Sequence, residues 1–435
     1  MLQVHCATSL EELAADREEL DEINRASRLP DPFSTVEFYE LYYQHDEFLR
    51  HGVESELWFL TVREERRIVG YLPLRRVRDR GIGIPCWKVE FFATHDNDRP
   101  HLVARPGDEE RCRDAVFRWL HEHRHLWSFL ELKQQPADSI LCATSAFSPP
   151  RYYVRTFPNL ENSSIDIRWK TLRDWFGELS HNMRHNVARQ FRALAALGRL
   201  EHLGSADPAA TPLLFELYRT IETRSWKAHA DATISRSPRR IEFFLQLLGS
   251  RSPLRVRIDL LLLDGVPIAG LLCGEFEKRL YALHSVFDDA YAKAGPGGSA
   301  LLFGLREAIE GGYLSLNLLS GFSYYKTRWR AQVTKTHAVQ VFRAGSPRFF
   351  QALLGGLRRS VWSPARHAAD FNLARRESFA APSQLAAGER ARIDELVVRL
   401  SRLGVVAEGQ TELARLLPFG LRRASQPAER IAAAS

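Results

Sequence analysis

Cysteine is scarce in this sequence, and the few cysteines are poorly placed for chemistry. Five occur in 435 residues, an odd number without CxxC spacing, so neither a disulfide framework nor a zinc site is expected. No other metal-ligand pattern stands out, and we predict that no metal ion is needed. The cysteines are Cys6, Cys86, Cys112, Cys142 and Cys273.

Long apolar runs are also missing. No stretch of about 18 apolar residues predicts a membrane-spanning helix. The opening residues, MLQVHCATSLEELAADREEL, lack a basic segment followed by an apolar one. Ser9 and Glu12 instead have the spacing of a capping box that begins an acidic helix. We therefore expect a cytoplasmic protein.

Several catalytic signatures are absent as well. The GxSxG of serine hydrolases and the HExxH of zinc proteases do not occur. The HEHRH at residues 121–125 falls in a predicted helix, where solvated polar side chains explain it better than metal ligands do. GxxxxGK[ST] and GxGxxG are also missing, so a nucleoside-triphosphate loop and a dinucleotide fingerprint lack support.

What the sequence does have is the length and composition of a globular protein. With 435 residues, two or three domains are expected. The net charge of +7 favours acidic partners, among them phosphate-bearing cofactors, nucleic acid and anionic lipid surfaces. Residues 181–202 carry much of that charge on a predicted amphipathic helix with Met183, Val187 and Phe191 on its apolar face. Its basic face is either simply solvated or contacts an anion.

The most informative stretch is residues 280–329. The run LYALHSVF predicts a strand, and Gly295, Pro296, Gly297 and Gly298 predict a turn that lets a ligand approach the backbone. Ser299 then has the chemistry of an N-cap for a helix that ends near residues 311–312. A phosphate could sit at this helix N-terminus, although such a turn can also serve only as a tight connection.

The chain divides into three parts on these patterns. Residues 1–157 predict a mixed α/β unit with a hairpin at residues 56–74, and residues 158–345 predict a second unit with helices followed by a strand meander at residues 256–287. Residues 346–435 predict a helical appendage, with a helix at residues 388–403 and a disordered tail after residue 425. The basic appendage is compatible with membrane lipid contact or with ordinary packing.

Part of the chain resembles a known family. The segment LLLDGVPIAGLLCGEFEKRLYALHSVFDDAYAKAGPGGSALLFGLREAIEGGYLSLNLLSGFSYYKTRW looks like the core of GNAT-type acyltransferases of the tandem-domain, Fem-like group, associated with cellulose biosynthesis (CelD-like). Its "PG" turn and "YK..W" ending carry the likeness. SHNMRHNVARQFRAL resembles their basic helix, and ELWFLTVREERRIVGYLPL resembles the first hairpin of their degenerate N-terminal domain.

The resemblance implies a fold and a donor site. The fold would be α/β (α+β), with two tandem GNAT-like domains of mixed, mostly antiparallel sheets flanked by helices, the first degenerate, plus the C-terminal appendage. The donor would be acyl-CoA, used as a co-substrate. Its pantetheine arm and phosphates would be bound by residues of the strand, the turn and the helix start, namely Val286, Phe287, Lys293, Gly295, Gly297, Gly298 and Ser299.

The resemblance also implies catalytic and acceptor-binding residues. His284, Tyr325 and Lys326 are the candidates for catalysis, and an imidazole suits base chemistry near neutral pH. A histidine in a strand can equally be a structural hydrogen-bonding residue, and Tyr325 can simply pack. The candidates for acceptor binding, for several of which helix-end packing remains an alternative, are Arg224, Trp226, Lys227, Tyr324 and Trp329.

Together these patterns predict an N-acyltransferase that moves an acyl group, other than an aminoacyl group, from acyl-CoA to an amine. The acceptor would be a small molecule or an envelope, polysaccharide or lipid precursor, and nucleic acid is not expected as a partner. Two alternatives stay open: a Fem-like transferase that uses aminoacyl-tRNA, and a non-catalytic accessory protein of polysaccharide biosynthesis. The expected location is cytoplasmic, with peripheral contact at the inner membrane through the basic C-terminal region.

Overall fold

The computed structural model describes residues 2–45, 54–80, 84–93, 99–229, 233–249, 254–320, 326, 329–358, 385–411 and 413. Its strands are β1 Leu2–Ala7, β2 Ser55–Glu64, β3 Arg67–Asp79, β4 Cys86–Phe91, β5 Val103–Ala104, β6 Phe129–Pro136, β7 Tyr152–Pro158, β8 Asn162–Asp166, β9 Leu200–Ser205, β10 Arg255–Leu263, β11 Val266–Phe276, β12 Arg279–Phe287, β13 Ser315–Ser320, β14 Gln332–Thr334 and β15 Thr336–Arg343.

The α-helices alternate with these strands. They are α1 Leu10–Ala15, α2 Arg17–Ala26, α3 Val36–His45, α4 Glu109–Glu122, α5 Leu172–Glu178, α6 His181–Ala195, α7 Thr211–Glu222, α8 Trp226–His229, α9 Pro238–Leu247, α10 Pro296–Glu310, α11 Pro347–Arg358 and α12 Ala387–Arg402. The fold is mixed α/β with two sheets flanked by helices, as the sequence predicts. Within the described ranges, no helix is long and apolar enough to span a membrane.

The chain forms two compact units that differ from the predicted division. The first unit comprises residues 1–163, 319–323 and 332–364, and the second comprises residues 164–318, 324–331 and 365–435. The predicted second domain, residues 158–345, therefore contains two strands, β14 and β15, that fall in the first unit. Strand β15 pairs antiparallel with both β6 and β7.

The first unit is built on one sheet with the strand order β1-β2-β3-β4-β6-β15-β7. The predicted hairpin is confirmed as β2 and β3, whose register joins Glu64 to Arg67 across a turn in which Glu65 has φ 56°. Helix α4 buries Cys112, Val116 and Leu120 in the core of this unit. A sheet face covered by amphipathic helices buries the apolar surface that stabilises such a unit.

The second unit is built on a sheet with the strand order β8-β13-β12-β11-β10-β9. The predicted meander is confirmed as β10 to β12, with Asp264 (φ 51°) and Gly265 (φ 77°) in the turn between its first two strands. Positive φ at both turn residues matches the right-handed twist of the strands, which is why Asp-Gly suits this position. Helix α10 packs against this sheet and against α6.

The basic helix is shorter than predicted. Helix α6 ends at Ala195, and residues 200–205 form strand β9 instead of continuing the helix to residue 202. Its predicted apolar face is confirmed, because Met183, Val187, Phe191 and Leu194 are all buried. Leu200 and Leu203 are buried too, since β9 pairs with β10 at the edge of the sheet.

Helix α12 in the second unit confirms the helix that the sequence predicts in the C-terminal part. The segment that follows it pairs with β9 through a bridge between His202 and Glu408. The tail predicted to be disordered after residue 425 lies outside the described residues.

Candidate active site

Strand β12 has an edge that its neighbour β13 leaves open. The two strands pair in parallel at Arg279–Tyr281 with 315–317, and no further register is found between their described residues. On the opposite edge, β11 pairs His284 with Leu272 and Ala282 with Cys273, so Leu283 is an extra residue that forms a bulge. A bulge bends and twists its strand, which separates β12 from β13 beyond this point.

The open edge presents backbone groups of two β12 residues. The Asp288 N–H donates to the Ile268 carbonyl, 2.8 Å away, which directs Asp288 towards β11. Because backbone groups alternate sides along a strand, the amides and carbonyls of Ser285 and Phe287 point the other way, towards the gap. An extended ligand with amide groups can pair with such an edge as an added strand.

The turn after β12 leads directly into α10. The Asp288 carboxylate accepts the Ala290 N–H (3.0 Å) and caps a short 3₁₀ helix, Asp289–Ala294. Gly295 then adopts φ 71°, in the left-handed region, and serves as the N-cap of α10 with Pro296 as its first residue. The sequence-based N-cap, Ser299, is wrong: it lies inside the helix, because proline favours the first helical position.

The helix N-terminus offers fewer free amides than most. Pro296 has no N–H, and the Gly298 N–H donates to the Gly295 carbonyl at 3.2 Å. The Gly297 N–H has no acceptor within the described residues. The hydroxyl of Ser299 is buried and also lacks a partner in the described structure. These two groups can hold an anion or an amide ligand, since the helix N-terminus carries partial positive charge.

Glycine suits positions 295, 297 and 298 because neighbouring side chains leave little room for a Cβ atom. A Cβ at Gly295 would lie 2.4 Å from Nε2 of Gln190, a residue of α6, and a Cβ at Gly297 would lie 3.0 Å from Cδ1 of Phe287. A Cβ at Gly298 would meet Gln190 Oε1 at 3.3 Å. The Gln190 amide therefore covers the start of α10, and the sequence reasoning did not find this residue.

His284 lies on β12 among polar groups from α7 and α8. Its Nδ1 is 2.6 Å from the Tyr218 hydroxyl, and its Nε2 is 3.2 Å from Lys227 Nζ. Lys227 Nζ also donates to the Ser285 carbonyl at 2.7 Å, on the open edge. The Glu222 carboxylate is 3.9 Å from Nδ1. The imidazole of His284, the amine of Lys227 and the carboxylate of Glu222 therefore lie together beside the gap between β12 and β13.

The contacts of His284 assign its tautomer. An ammonium group has no lone pair to accept a hydrogen bond, so Nε2 must accept from Lys227 and the ring proton must be on Nδ1. That Nδ1–H faces the Tyr218 oxygen and Glu222. Burial, and then the charge of Glu222, raise the pKa of Tyr218 well above its ordinary value, so this phenol stays protonated.

Glu222 is buried and fully engaged. Its Oε1 accepts the Ile234 N–H at 2.7 Å, and its Oε2 accepts both the N–H and the hydroxyl of Ser235. Neither Glu222 nor Tyr218 was found from the sequence. The available signal was their spacing of four along α7, which places two polar side chains on one helical face that is otherwise apolar.

Arg224, predicted to bind the acceptor, is occupied by structural contacts. Its Nε donates to Asp288 at 2.7 Å, its Nη2 to the Pro267 carbonyl at 2.7 Å and its Nη1 to Glu389 of α12 at 3.1 Å. Through Asp288 it acts on the turn that precedes Gly295, so the structure makes it a positioning residue for that turn. Trp226 and Lys227 follow it at the start of α8 and are half-buried.

The YK..W segment is described only in part. Tyr324 and Tyr325 lie outside the described residues. Lys326 is buried, and its Nζ donates to the Leu318 carbonyl at 2.9 Å. Trp329 is 2% exposed and packs against Trp175 in the core, with ring centroids 5.2 Å apart. Its position is that of a core residue behind the helix start.

The other predicted donor residues follow the strand and the turn. Val286 is buried, Phe287 is half-buried, and Lys293 is exposed in the 3₁₀ helix. In the part of the chain that the structure describes, no group of three or more histidine, cysteine, aspartate or glutamate side chains could hold a metal ion.

Comparisons with known proteins give a family match for one part of the chain and several structures of similar fold. Residues 181–327 match the family model described as an acetyltransferase (GNAT) domain. FemX is similar in structure, with 9% identity over 80% of this chain and 99% of FemX, at a TM-score of 0.50. The C-terminal DUF2156 domain of a proposed lysylphosphatidylglycerol synthetase from Agrobacterium fabrum gives 16% identity over 78% of this chain and 95% of that domain, at a TM-score of 0.47.

A tandem GNAT protein from the clavulanic acid pathway gives 14% identity over 79% of this chain and 99% of that protein, at a TM-score of 0.42. No curated protein matches the chain in sequence. At 9% identity the likeness to FemX shows the fold alone, and its coverage of this chain includes both units. The match over residues 181–327 covers the helices, the meander and the glycine turn described above. Residues 181–327 therefore resemble a GNAT acetyltransferase domain.

Proposed function

We propose that the protein is an N-acyltransferase that moves an acyl group from acyl-CoA to an amine of an envelope, polysaccharide or lipid-related acceptor. One observation carries the proposal. The Nε2 atom of His284 accepts a hydrogen bond from Nζ of Lys227 at 3.2 Å, on the strand edge that leads into the glycine turn. Acyl transfer to an amine needs a base at that distance from the nucleophile.

The residues present fit a coenzyme A donor. When bound, acyl-CoA would supply an activated thioester and phosphate groups. The Ser285 and Phe287 backbone groups can pair with amides of an extended arm. The Gly297 N–H and the Ser299 hydroxyl, both without a partner in the described residues, can face a phosphate. The Gln190 side chain can move from Gly298 or donate its own amide.

Groups around Nδ1 of His284 stabilise the protonated form of this base. As His284 takes a proton on Nε2, positive charge develops on the ring. The Nδ1–H keeps its hydrogen bond with Tyr218, and the buried Glu222 carboxylate at 3.9 Å stabilises the imidazolium electrostatically. A charge placed in a water-poor site acts more strongly than it would in bulk water.

Trp329 has no role in this proposal because it lies in the core, whereas the other predicted residues remain part of it. Trp226 and Lys227 mark the acceptor side of His284. Tyr324, Tyr325 and Lys326 are proposed to contact substrate, although Lys326 is buried against Leu318. Arg224 is proposed to act through Asp288 instead of touching the acceptor.

A thermal-shift titration tests the donor class. The full-length protein is titrated with coenzyme A, acetyl-CoA and palmitoyl-CoA. A ligand at a hundredfold excess over its Kd stabilises the native state by about 2.7 kcal/mol, which raises the melting temperature by roughly 5–10 °C for a unit of this size. The ligand with the largest shift indicates the acyl chain length.

Matched variants separate binding from folding. Gly297→Val with Gly298→Val is expected to remove the shift, because both branched side chains would fill the proposed phosphate site. Gly177→Val is the control, since a Cβ there meets nothing within 4 Å. If the double variant folds and keeps full affinity, the proposed cradle is wrong.

The two alternatives are outcomes of the same test. If none of the coenzyme A compounds shifts the melting temperature, aminoacyl-tRNA becomes the next donor to test, with salt-dependent RNA binding through the exposed Arg189 and Arg192 of α6 as its signature. If neither donor class binds, a non-catalytic accessory role in polysaccharide biosynthesis is the remaining proposal.

We also propose peripheral contact with an anionic membrane through α11. This helix exposes Phe350 (56%), Leu353 (44%) and Leu354 (67%) at spacings that share one face. Residues 346–376 contain six arginines, which suit an anionic lipid surface. Flotation with vesicles of anionic lipid is expected to recover the protein, and Phe350→Ser with Leu354→Ser is expected to abolish recovery. Equal recovery of both proteins would contradict this contact.

A further inference from the structure

The enzyme's own Lys227 occupies the position that the acceptor amine would need. A nucleophile must come within about 2.6–3.2 Å of its base. Lys227 Nζ is 3.2 Å from Nε2 of His284, and it lies 2.7 Å from the Ser285 carbonyl on the open edge of β12. A side-chain amine therefore stands between the base and the edge proposed to bind the acyl donor.

Local structure holds Lys227 in this place. The Ser225 N–H donates to the Glu222 carbonyl, which ends α7, and the Lys227 N–H donates to the Ser225 hydroxyl at 3.4 Å. The buried Ser225 thus fixes the start of α8 directly after α7. Because Tyr218 in the same helix α7 holds the other nitrogen of His284, amine and base are positioned by one element.

We propose that Lys227 is a self-acylation site, modified by the acyl donor when no external acceptor is present. This inference rests on the proposed function, since it takes acyl-CoA as the donor. Neutral Lys227 Nζ attacks the thioester carbonyl carbon, so that an N–C bond forms and the C–S bond breaks. His284 Nε2 takes the proton that the nitrogen loses and passes it to the departing thiolate, which leaves as coenzyme A.

The step starts from an ammonium that must first lose a proton. His284 is the immediate acceptor for that proton, because its neutral Nε2 already receives the Lys227 hydrogen bond, and it releases the proton to solvent before the attack. Its Nε2 is then neutral again and takes the second proton, which the nitrogen loses as the amide forms. The product is an amide, which has no positive charge and one N–H in place of three donors. An acylated Lys227 would then fill the acceptor position, and the modified enzyme would turn over more slowly.

Lys293 provides the internal comparison. It is exposed, lies two residues before Gly295, and has no contact with a histidine in the described residues. Direct chemical acylation by a thioester favours exposed lysines, so it would modify Lys293 before the half-buried Lys227. Base-assisted self-acylation would instead modify Lys227 before Lys293.

The test uses the full-length protein incubated at neutral pH with acetyl-CoA, and separately with palmitoyl-CoA, without an acceptor. Peptide mass spectrometry follows the acylated fraction of Lys227 and Lys293 with time. We expect Lys227 to react about a hundredfold faster than Lys293, within the range that general base catalysis supplies. His284→Gln is expected to lower the Lys227 rate to that of Lys293.

The outcomes separate this inference from the proposed function. A thermal shift is recorded in the same samples, and Lys227→Arg controls for folding. Binding of a coenzyme A compound with Lys227 modified no faster than Lys293 overturns self-acylation alone. Absence of binding overturns the proposed function and self-acylation with it. A Lys227 rate that is unaffected by His284→Gln, in a variant with normal thermal stability, also overturns the proposed step.

Discussion

Arg224 and Asp288 form a buried ion pair, with Nε of the guanidinium 2.7 Å from the carboxylate and each side chain 9% exposed. The pair joins the end of α7 to the end of β12. The same carboxylate caps the 3₁₀ helix that leads to Gly295, so a single aspartate fixes both the ion pair and the start of the glycine turn.

Replacing Asp288 by alanine should destabilise the protein strongly. The variant leaves the Arg224 Nε donor without its carboxylate, while Glu389 still pairs with Nη1, so the expected cost is about 1–3 kcal/mol. Asp394→Ala is the control, because its ion pair with Arg390 is exposed and is worth about 0–1 kcal/mol. Urea unfolding measures both. A loss below 1 kcal/mol for Asp288→Ala would show that the pair adds little to folding.

Gly295→Ala should cost more stability than Gly312→Ala. Both glycines have positive φ, 71° and 68°, so both variants pay a backbone penalty of about 1–2 kcal/mol. At Gly295 the new Cβ would also clash with Gln190, whereas at Gly312 it meets nothing within 4 Å. Thermal unfolding compares them, and Gln190→Ala should recover part of the Gly295→Ala loss. Equal losses would mean that Gln190 moves aside freely.

Tyr218→Phe should lower kcat by about tenfold with little change in KM. The variant removes the hydroxyl 2.6 Å from His284 Nδ1, and one such hydrogen bond is worth about 1 kcal/mol or somewhat more. Tyr152→Phe is a matched control, because that hydroxyl lies 2.9 Å from Nδ1 of His121 in the first unit. Steady-state kinetics with an amine acceptor tests this. An unchanged kcat would remove Tyr218 from the catalytic group.

Glu408 should stabilise the protein at neutral pH and less in acid. Burial alone would raise its pKa, but hydrogen bonds from His202 and Arg306 outweigh burial and lower the pKa to about 2 from an ordinary 4.5. A carboxyl whose pKa falls on folding stabilises the native state above its unfolded pKa. That stabilisation is lost as the pH falls from about 4.5 towards about 2.

Melting temperatures of wild type and Glu408→Gln, taken between pH 7 and pH 3, check this. The difference between the two should be a few degrees at pH 7 and should shrink below about pH 4.5. Glu310→Gln is the contrasting variant, because burial raises the pKa of Glu310 and its ionised form therefore opposes folding. A Glu408→Gln difference that is constant with pH would show that the contact with His202 does not depend on charge.

Local patterns predicted the parts of the fold whose partners are close in sequence. The β2–β3 hairpin and the meander follow from alternating apolar residues and short turns, and the turn at Gly295 follows from its glycines. The error at Ser299 also has a local cause. Serine is a favoured N-cap, but Pro296 fixes φ for the first helical position and moves the helix start forward to Gly295.

Distant pairings could not be predicted in this way. Nothing near His284 in sequence indicates that Tyr218 and Glu222 surround it, because the three meet only when α7 packs on the sheet. Gln190 likewise reaches the glycine turn from α6. The pairing of β15 was not predicted, because most of the second unit separates it in sequence from its partners β6 and β7.

The insertion of β15 between β6 and β7 has a consequence for synthesis on the ribosome. The two flanking strands leave the exit tunnel early, yet the strand that separates them emerges only after residues 159–335 have been added. At about 5–20 residues per second, this interval lasts on the order of ten to thirty seconds. During this interval, the edges of β6 and β7 that later pair with β15 stay unpaired. Because unpaired strand edges promote aggregation, we expect a chaperone to bind the nascent first unit. An expression fragment ending near residue 157 would keep those edges permanently and should aggregate.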